Sequence, residues 1–190
     1  MPFLPSLPET SHLSDLFKKF PRGIPPLMDY HDAILRSDGE LTKAERELIA
    51  TYTSSLNACT FCYGAHKIYA EAFGIDEAMI EAMVADLDSV KGLDKLKPIL
   101  QYVKKMNFLP SKIVKADAQA VFDAGWSEEA LYEAIQVCAL FNMMNRIIEG
   151  AGVNFDYTGN ADVHSMSRPD ADVETHTYGA YGKTIAATTS

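Results

Sequence analysis

Residues 45–66, ERELIATYTSSLNACTFCYGAH, carry both the helical pattern and the chemistry from which this chain is read. Just upstream, Thr42 and Glu45 stand three apart, the spacing of a capping box that opens a helix. Ala44, Leu48, Tyr52 and Leu56 then recur every four residues, which lays an apolar stripe along one face. Asn57 reads as the N-cap of a following helix that ends at Gly74. In that helix Cys59, Cys62 and His66 stand three and four positions apart and share a face. On the preceding helix Glu47 aligns with Thr51 and Ser54, a polar stripe directed towards the turn that bears the cysteines.

Working outward, the same helical periodicity runs through most of the 190 residues. Residues 1–25 hold five prolines and read as an N-terminal arm with one short helix near Ser14 to Phe20. Pro26 suits the first turn of a helix reaching Arg36. Asp76 caps a helix through Ala85, and further helices are expected over Asp94 to Met106 and Lys112 to Asp123. Ser127 caps a long helix through Glu149 that is apolar around most of its circumference, so it belongs at the centre or at a subunit interface. From Asn154 the composition turns to small polar residues with little periodicity. The expected organisation is all-α: an arm over 1–25, a multi-helix bundle over 26–153 and an irregular tail over 154–190.

Composition narrows the function classes. An apolar share of 47% builds a sizeable core in a chain of this length. Asp and Glu outnumber Lys and Arg by 26 to 17, for a net charge of −9, and no basic cluster interleaved with aromatics appears, so nucleic acid is not an expected partner. No basic segment followed by an apolar run opens the chain and no stretch is long enough to span a bilayer, so a cytoplasmic protein without membrane association is expected. Three cysteines with one close pair do not make a secreted disulfide framework.

The dithiol has redox chemistry within reach. A thiol attacks as thiolate, and unpaired backbone N–H groups at a helix start, or a neighbouring imidazole, favour a negative sulfur. A Glu47 carboxylate behind His66 would fix the imidazole tautomer and take up its proton, as the third member of a triad does. A zinc site is not expected, since His66 would make only a third ligand and no second cysteine pair exists. Cys138, without polar company on its apolar helix, reads as a buried hydrophobe. Arg146 is placed to pair with Glu149 three positions on. His12, His31, His164 and His176 lack metal-like spacing and are assigned surface or packing roles.

Glu47, Cys59, Cys62 and His66 in the order Glu-x11-Cys-x-x-Cys-x3-His resemble the alkylhydroperoxidase D family, grouped with the carboxymuconolactone decarboxylase-like proteins. Ser54 or Ser55 and Asn57 before the first cysteine fit the likeness. Phe141, Asn142, Asn145 and Arg146 resemble the Phe-Asn-x-x-Asn-Arg of its peroxidase-related subgroup. The resemblance implies an alkylhydroperoxidase D-like helical fold assembled as a trimer or a hexamer. It also implies hydroperoxide reduction through a cycling Cys59–Cys62 disulfide, with Cys62 as peroxidatic and Cys59 as resolving thiol. Helix-end electrostatics alone favour Cys59 instead. No bound cofactor is implied, but an external dithiol reductant is, in some relatives a lipoylated adaptor protein. Phe61 stands where well-characterised members have a histidine, and Tyr63 follows as a candidate replacement for part of the proton relay. A decarboxylase-like enzyme acting on a small acid shares the fold but has no use for the dithiol. A non-enzymatic redox sensor keeps the cysteines without turnover.

Overall fold

A computed structural model describes residues 1–187. Its regular structure among these residues is helical, with short 3-10 turns and no strand. Thr42 and Glu45 form the expected capping box, the Thr42 hydroxyl accepting from the Glu45 amide (3.2 Å) while the Glu45 carboxylate accepts from the Thr42 amide (2.8 Å). This box opens α3 (Lys43–Leu56), the helix around which the domain is arranged. α4 (Thr60–Ala72) folds back against it, and α8 (Glu128–Ala151) and α6 (Lys97–Phe108) pack on its other sides. Leu48, Ile49 and Ala50 of α3 are fully buried against this ring, with Val137, Leu140 and Ile148 of α8 in the same core.

The remaining helices complete the shell. α1 (Leu13–Lys19) lies in the arm, and α2 (Ile24–Leu35) starts with two prolines in its first turn, where a missing N–H costs nothing. α5 (Glu77–Ala85) is capped by the Asp76 carboxylate and α8 by the Ser127 hydroxyl, both as expected. α6 begins three residues later than its periodicity suggests, because Pro98 is tolerated only in a first turn. The expected helix from Lys112 divides into a 3-10 turn over Pro110–Lys112 and α7 (Lys115–Asp123), since the Asp117 carboxylate accepts from the Val114 amide (2.7 Å) and fixes the start there.

Two corrections concern the site. Asn57 is the last residue of the α3 turn and not the N-cap of α4; that position belongs to Cys59. The Ala58 amide bonds to the Ser55 carbonyl and the Cys59 amide to the Ser54 carbonyl, both at 3.0 Å, which is a Schellman ending. Such an ending requires a left-handed residue, and Ala58 fills it at φ 54°, the single non-glycine residue with positive φ among those described. With no glycine to mark it, the helix end is silent in the sequence. An L-residue in this region is strained, so Ala58→Gly is expected to stabilise the fold by up to about 1 kcal/mol, read as a higher denaturant midpoint at unchanged slope.

The second correction concerns the tail. Residues 154–177 are irregular apart from 3-10 turns at Ala161–Val163 and Ser165–Ser167, but the chain then forms α9 (Tyr178–Ala187), packed on α2. The Asp32 carboxylate of α2 accepts from the Tyr178 and Gly179 amides, both at 2.7 Å, and so caps α9. Gly182 permits the close approach: a Cβ there would lie 2.9 Å from Met28 Cβ. Gly64 plays the same part on α4, where a Cβ would meet that of Tyr157 at 2.8 Å. The tail is thus docked along the α2 and α4 faces. None of the described helices is long and apolar enough to cross a membrane.

Candidate functional site

The Schellman turn sets the geometry of the dithiol. By ending α3 and placing Cys59 at the N-cap of α4, it puts Cys62 in the first turn, among amides that lack an intrahelical acceptor. Both cysteines are buried, and no disulfide joins them. Cys62 lines a cavity of about 970 Å³, whereas Cys59 is not among its lining residues. Cys62 beside it, followed by burial and with Glu149 also nearby, pushes the Cys59 thiol well above its ordinary range. Cys59 is therefore held as a neutral thiol behind a sulfur that faces open space.

One helical turn beyond Cys62, His66 lines the same cavity. Its Nδ1 donates to Glu47 Oε2 at 2.6 Å, which leaves Nε2 to serve the cavity. The Phe141 ring meets the imidazole edge-on at 4.4 Å between centroids and holds its plane. Glu47 is fully buried, and burial alone would raise its pKa; the His66 ring and the Arg36 guanidinium instead hold it near about 2. The expected Glu47 and His66 pairing is therefore present, made across α3 and α4.

Arg36 escaped the sequence reading. It reaches Glu47 Oε1 at 2.6 Å from the end of α2, and its guanidinium lies against the rings of Tyr69, Phe73 and Tyr178 at 4.9 to 5.4 Å. Burial disfavours its charge, yet Tyr178 and Glu47 keep its pKa above the ordinary value. Tyr178 of α9 receives a hydrogen bond from Arg36 (3.2 Å) and donates to Glu47 Oε1 (3.3 Å). The carboxylate is thereby fixed from three elements, one of them in the tail. The unusual density of Tyr and His in an otherwise small, polar tail was the available signal.

The four histidines assigned to packing or surface roles do pack against aromatic rings, and together with His66 they also line this cavity. His12, from the arm, accepts from the Ser14 amide through Nδ1 (3.0 Å), so its neutral ring donates from Nε2 to Tyr157 Oη (2.7 Å). It packs against Phe61 at 5.1 Å, so an imidazole is supplied beside the phenylalanine from elsewhere in the chain. His31 Nδ1 donates to the Leu27 carbonyl (2.8 Å), and His176 Nε2 meets Tyr69 Oη (2.8 Å). Burial lowers His12 and His176 and takes His31 and His164 down to about 4. These four rings are uncharged near neutrality. Long-range contacts of this kind leave no spacing in the sequence.

Tyr63, and the Ser54, Asn57 and Arg146 that fit the family likeness, do not line the cavity. Tyr63 is half-buried on the outer face of α4 among Lys67, Glu71, Glu77 and Glu81, away from the cavity. Ser54 and Asn57 belong to an amide network in which Asn57 donates to Asn145 (2.9 Å), Asn145 to the Ser54 hydroxyl (3.2 Å) and Asn107 to Asn57 (2.9 Å). This network ties α6 and α8 to the turn before Cys59. Arg146 is exposed and bonds back to the Asn142 carbonyl and side chain (2.8 and 2.6 Å), not to Glu149. Cys138 is buried as expected, its thiol pushed up to about 11 by burial. Among the described residues, no three His, Cys, Asp or Glu side chains converge as metal ligands.

Residues 26–105 match the carboxymuconolactone decarboxylase family. The chain is similar to a crystal structure from Ralstonia eutropha JMP134, described as an alkylhydroperoxidase AhpD core and a peroxidase-related protein, with 24% identity, 74% of each chain covered and a TM-score of 0.69. It is also similar to a peroxidase-related protein from Silicibacter sp. TM1040, with 24% identity, 75% of this chain and 73% of that one covered, and a TM-score of 0.66. No curated protein matches the chain.

Proposed function

We propose that this protein, whose helical body has the fold of the alkylhydroperoxidase core and peroxidase-related structures it resembles and whose residues 26–105 match the carboxymuconolactone decarboxylase family, is a thiol-dependent peroxidase. The observation that carries this reading is the shared cavity wall of Cys62 and His66, with Glu47 buried behind the imidazole and Cys59 behind the thiol. In the first half-reaction the Cys62 thiolate attacks the distal oxygen of a hydroperoxide. The O–O bond breaks, the alkoxide takes a proton handed on through His66, and Cys62 becomes a sulfenic acid. Cys59 then displaces water from that sulfur and closes the disulfide. An external dithiol, free or as a lipoyl group on a partner protein, takes up the oxidising equivalents and returns both thiols. The active assembly in this reading is a trimer or a dimer of trimers.

Burial of the site supports the same reading. Both thiols and the Glu47–His66 pair lie away from bulk water, which strengthens their mutual electrostatics. A decarboxylase acting on a small lactone acid shares the family match but leaves the dithiol without a task. The deciding measurement is steady-state reduction of hydrogen peroxide, tert-butyl hydroperoxide and cumene hydroperoxide, each with dihydrolipoamide and with dithiothreitol. Turnover is expected with at least the organic peroxides. Absence of turnover in every pairing, with the thiols confirmed reduced, overturns the proposal.

A further inference from the structure

The cavity is far larger than the reaction needs. Hydrogen peroxide has two heavy atoms, whereas about 970 Å³ accommodates a ligand of drug size. Much of its wall is aromatic: Phe61 and Tyr69 from α4, Phe141 from α8, and Phe155, Tyr157 and Tyr178 from the tail. Such rings offer broad apolar faces at little entropic cost, with hydroxyls already engaged by His12, His176 and Arg36.

The charge pattern of the wall is as telling as its apolarity. The chain carries 26 acidic side chains, yet no Asp or Glu lines this cavity. Glu47 lies behind His66, capped by Arg36 and Tyr178, and does not face the space. The four accessory imidazoles are desolvated and neutral. Apart from histidine, Arg168 is the single ionisable cation among the lining residues; it is exposed, beside the 3-10 turn that carries Ser165 and His164 to the wall. A lining with one guanidinium at an exposed position, apolar walls and no carboxylate suits a ligand with a long apolar body and a terminal anion. An acidic wall would repel that ligand.

The geometry points to an anionic lipid-like hydroperoxide, a long-chain carboxylate bearing –OOH, as the substrate class of this site, with Arg168 as the specificity residue that receives the carboxylate. The apolar chain lies along the aromatic wall and delivers the peroxide to Cys62. The tail is then a permanent part of the binding site, since it supplies Arg168 together with Tyr157 and Tyr178. This assignment rests on the peroxidase reading for the reaction, but the ligand preference is measurable without any turnover.

The test is equilibrium binding, by calorimetry below the micellar concentration, of the hydroxy derivative of linoleate, which is the alcohol product of the corresponding hydroperoxide, and of its methyl ester. The reduced full chain is expected to bind the acid at least about tenfold more tightly than the ester. Arg168→Gln should collapse that preference to about twofold or less, whereas Arg168→Lys should retain most of it, with helical circular dichroism and melting unchanged in both. Equal affinity for acid and ester in the native chain, or a preference that survives Arg168→Gln, overturns the assignment. Acid-selective binding without peroxide turnover supports the anion site while the peroxidase reading fails. Cumene hydroperoxide turnover without acid selectivity does the reverse.

Discussion

Replacing Arg36 by methionine is expected to destabilise the protein by about 3 kcal/mol at neutral pH, although Arg36 lines no part of the cavity. The reason is the carboxylate it leaves behind. Glu47 is fully buried, and its two oxygens are divided between His66 Nδ1 and Arg36, each at 2.6 Å, with Tyr178 adding a weaker contact to the Arg36 side. Methionine fills the volume and keeps packing against Tyr69 and Phe73, so the variant isolates the charge from the stem. Removing one partner of a buried pair typically costs about 3–5 kcal/mol, and the surviving His66 contact argues for the lower end.

The pH dependence gives the same residue a second signature. Glu47 has a folded-state pKa of about 2 against an ordinary 4.5. A depressed folded-state value means that the stabilisation is present above the unfolded pKa and is lost as pH falls from there through the folded pKa. At 1.36 kcal/mol per unit this is on the order of 3 kcal/mol lost between about pH 5 and pH 2. In Arg36→Met the folded-state value rises, the window narrows, and acid unfolding should begin at higher pH. Adding Glu47→Leu should recover much of the lost stability, because an apolar pair replaces a charge without its partner. Chemical denaturation of the three proteins at pH 7 and pH 4 measures all of this. A neutral Arg36→Met variant would mean that His66 alone satisfies the carboxylate.

The parts of this site that were visible in the sequence are those written in local spacing. The capping box of α3, the caps of α5 and α8 and the common face of Cys62 and His66 follow from positions three or four apart. Glu47 was found because its stripe runs along α3 towards the cysteines. What stayed hidden depended on contacts at long range or on a residue out of type. Ala58 occupies a position that glycine usually marks, so the helix boundary moved and with it the relation of Cys59 to the α4 terminus. Arg36, His12, His176 and Tyr178 come from segments with no periodic relation to the dithiol, and only the docking of arm and tail brings them in. Tyr63, adjacent to the pair in sequence, faces the other way because successive helical residues point about 100° apart.

Exchanging the two thiols for serine should give opposite phenotypes, and the difference fixes the direction of the cycle. Cys62→Ser is expected to abolish peroxide-dependent sulfenic acid trapping and to reduce peroxide turnover on the order of a thousandfold, because the sulfur facing the cavity is gone. Cys59→Ser should still form one trappable sulfenic acid per chain, then stall, since no second thiol condenses with it. Two arguments compete over which sulfur attacks. Proximity to the helix terminus favours Cys59, the N-cap residue. Access favours Cys62, which lines the cavity one turn from His66, and Cys59 is kept as a thiol by Cys62, burial and Glu149. A helix terminus contributes roughly 1 kcal/mol to a charge, less than burial beside another sulfur and a carboxylate removes. Dimedone labelling with intact-mass readout separates the two. A sulfenic acid trapped on Cys59 in the Cys62→Ser variant, with none in the converse, would reverse the roles and place the attacking sulfur outside the cavity that His66 serves.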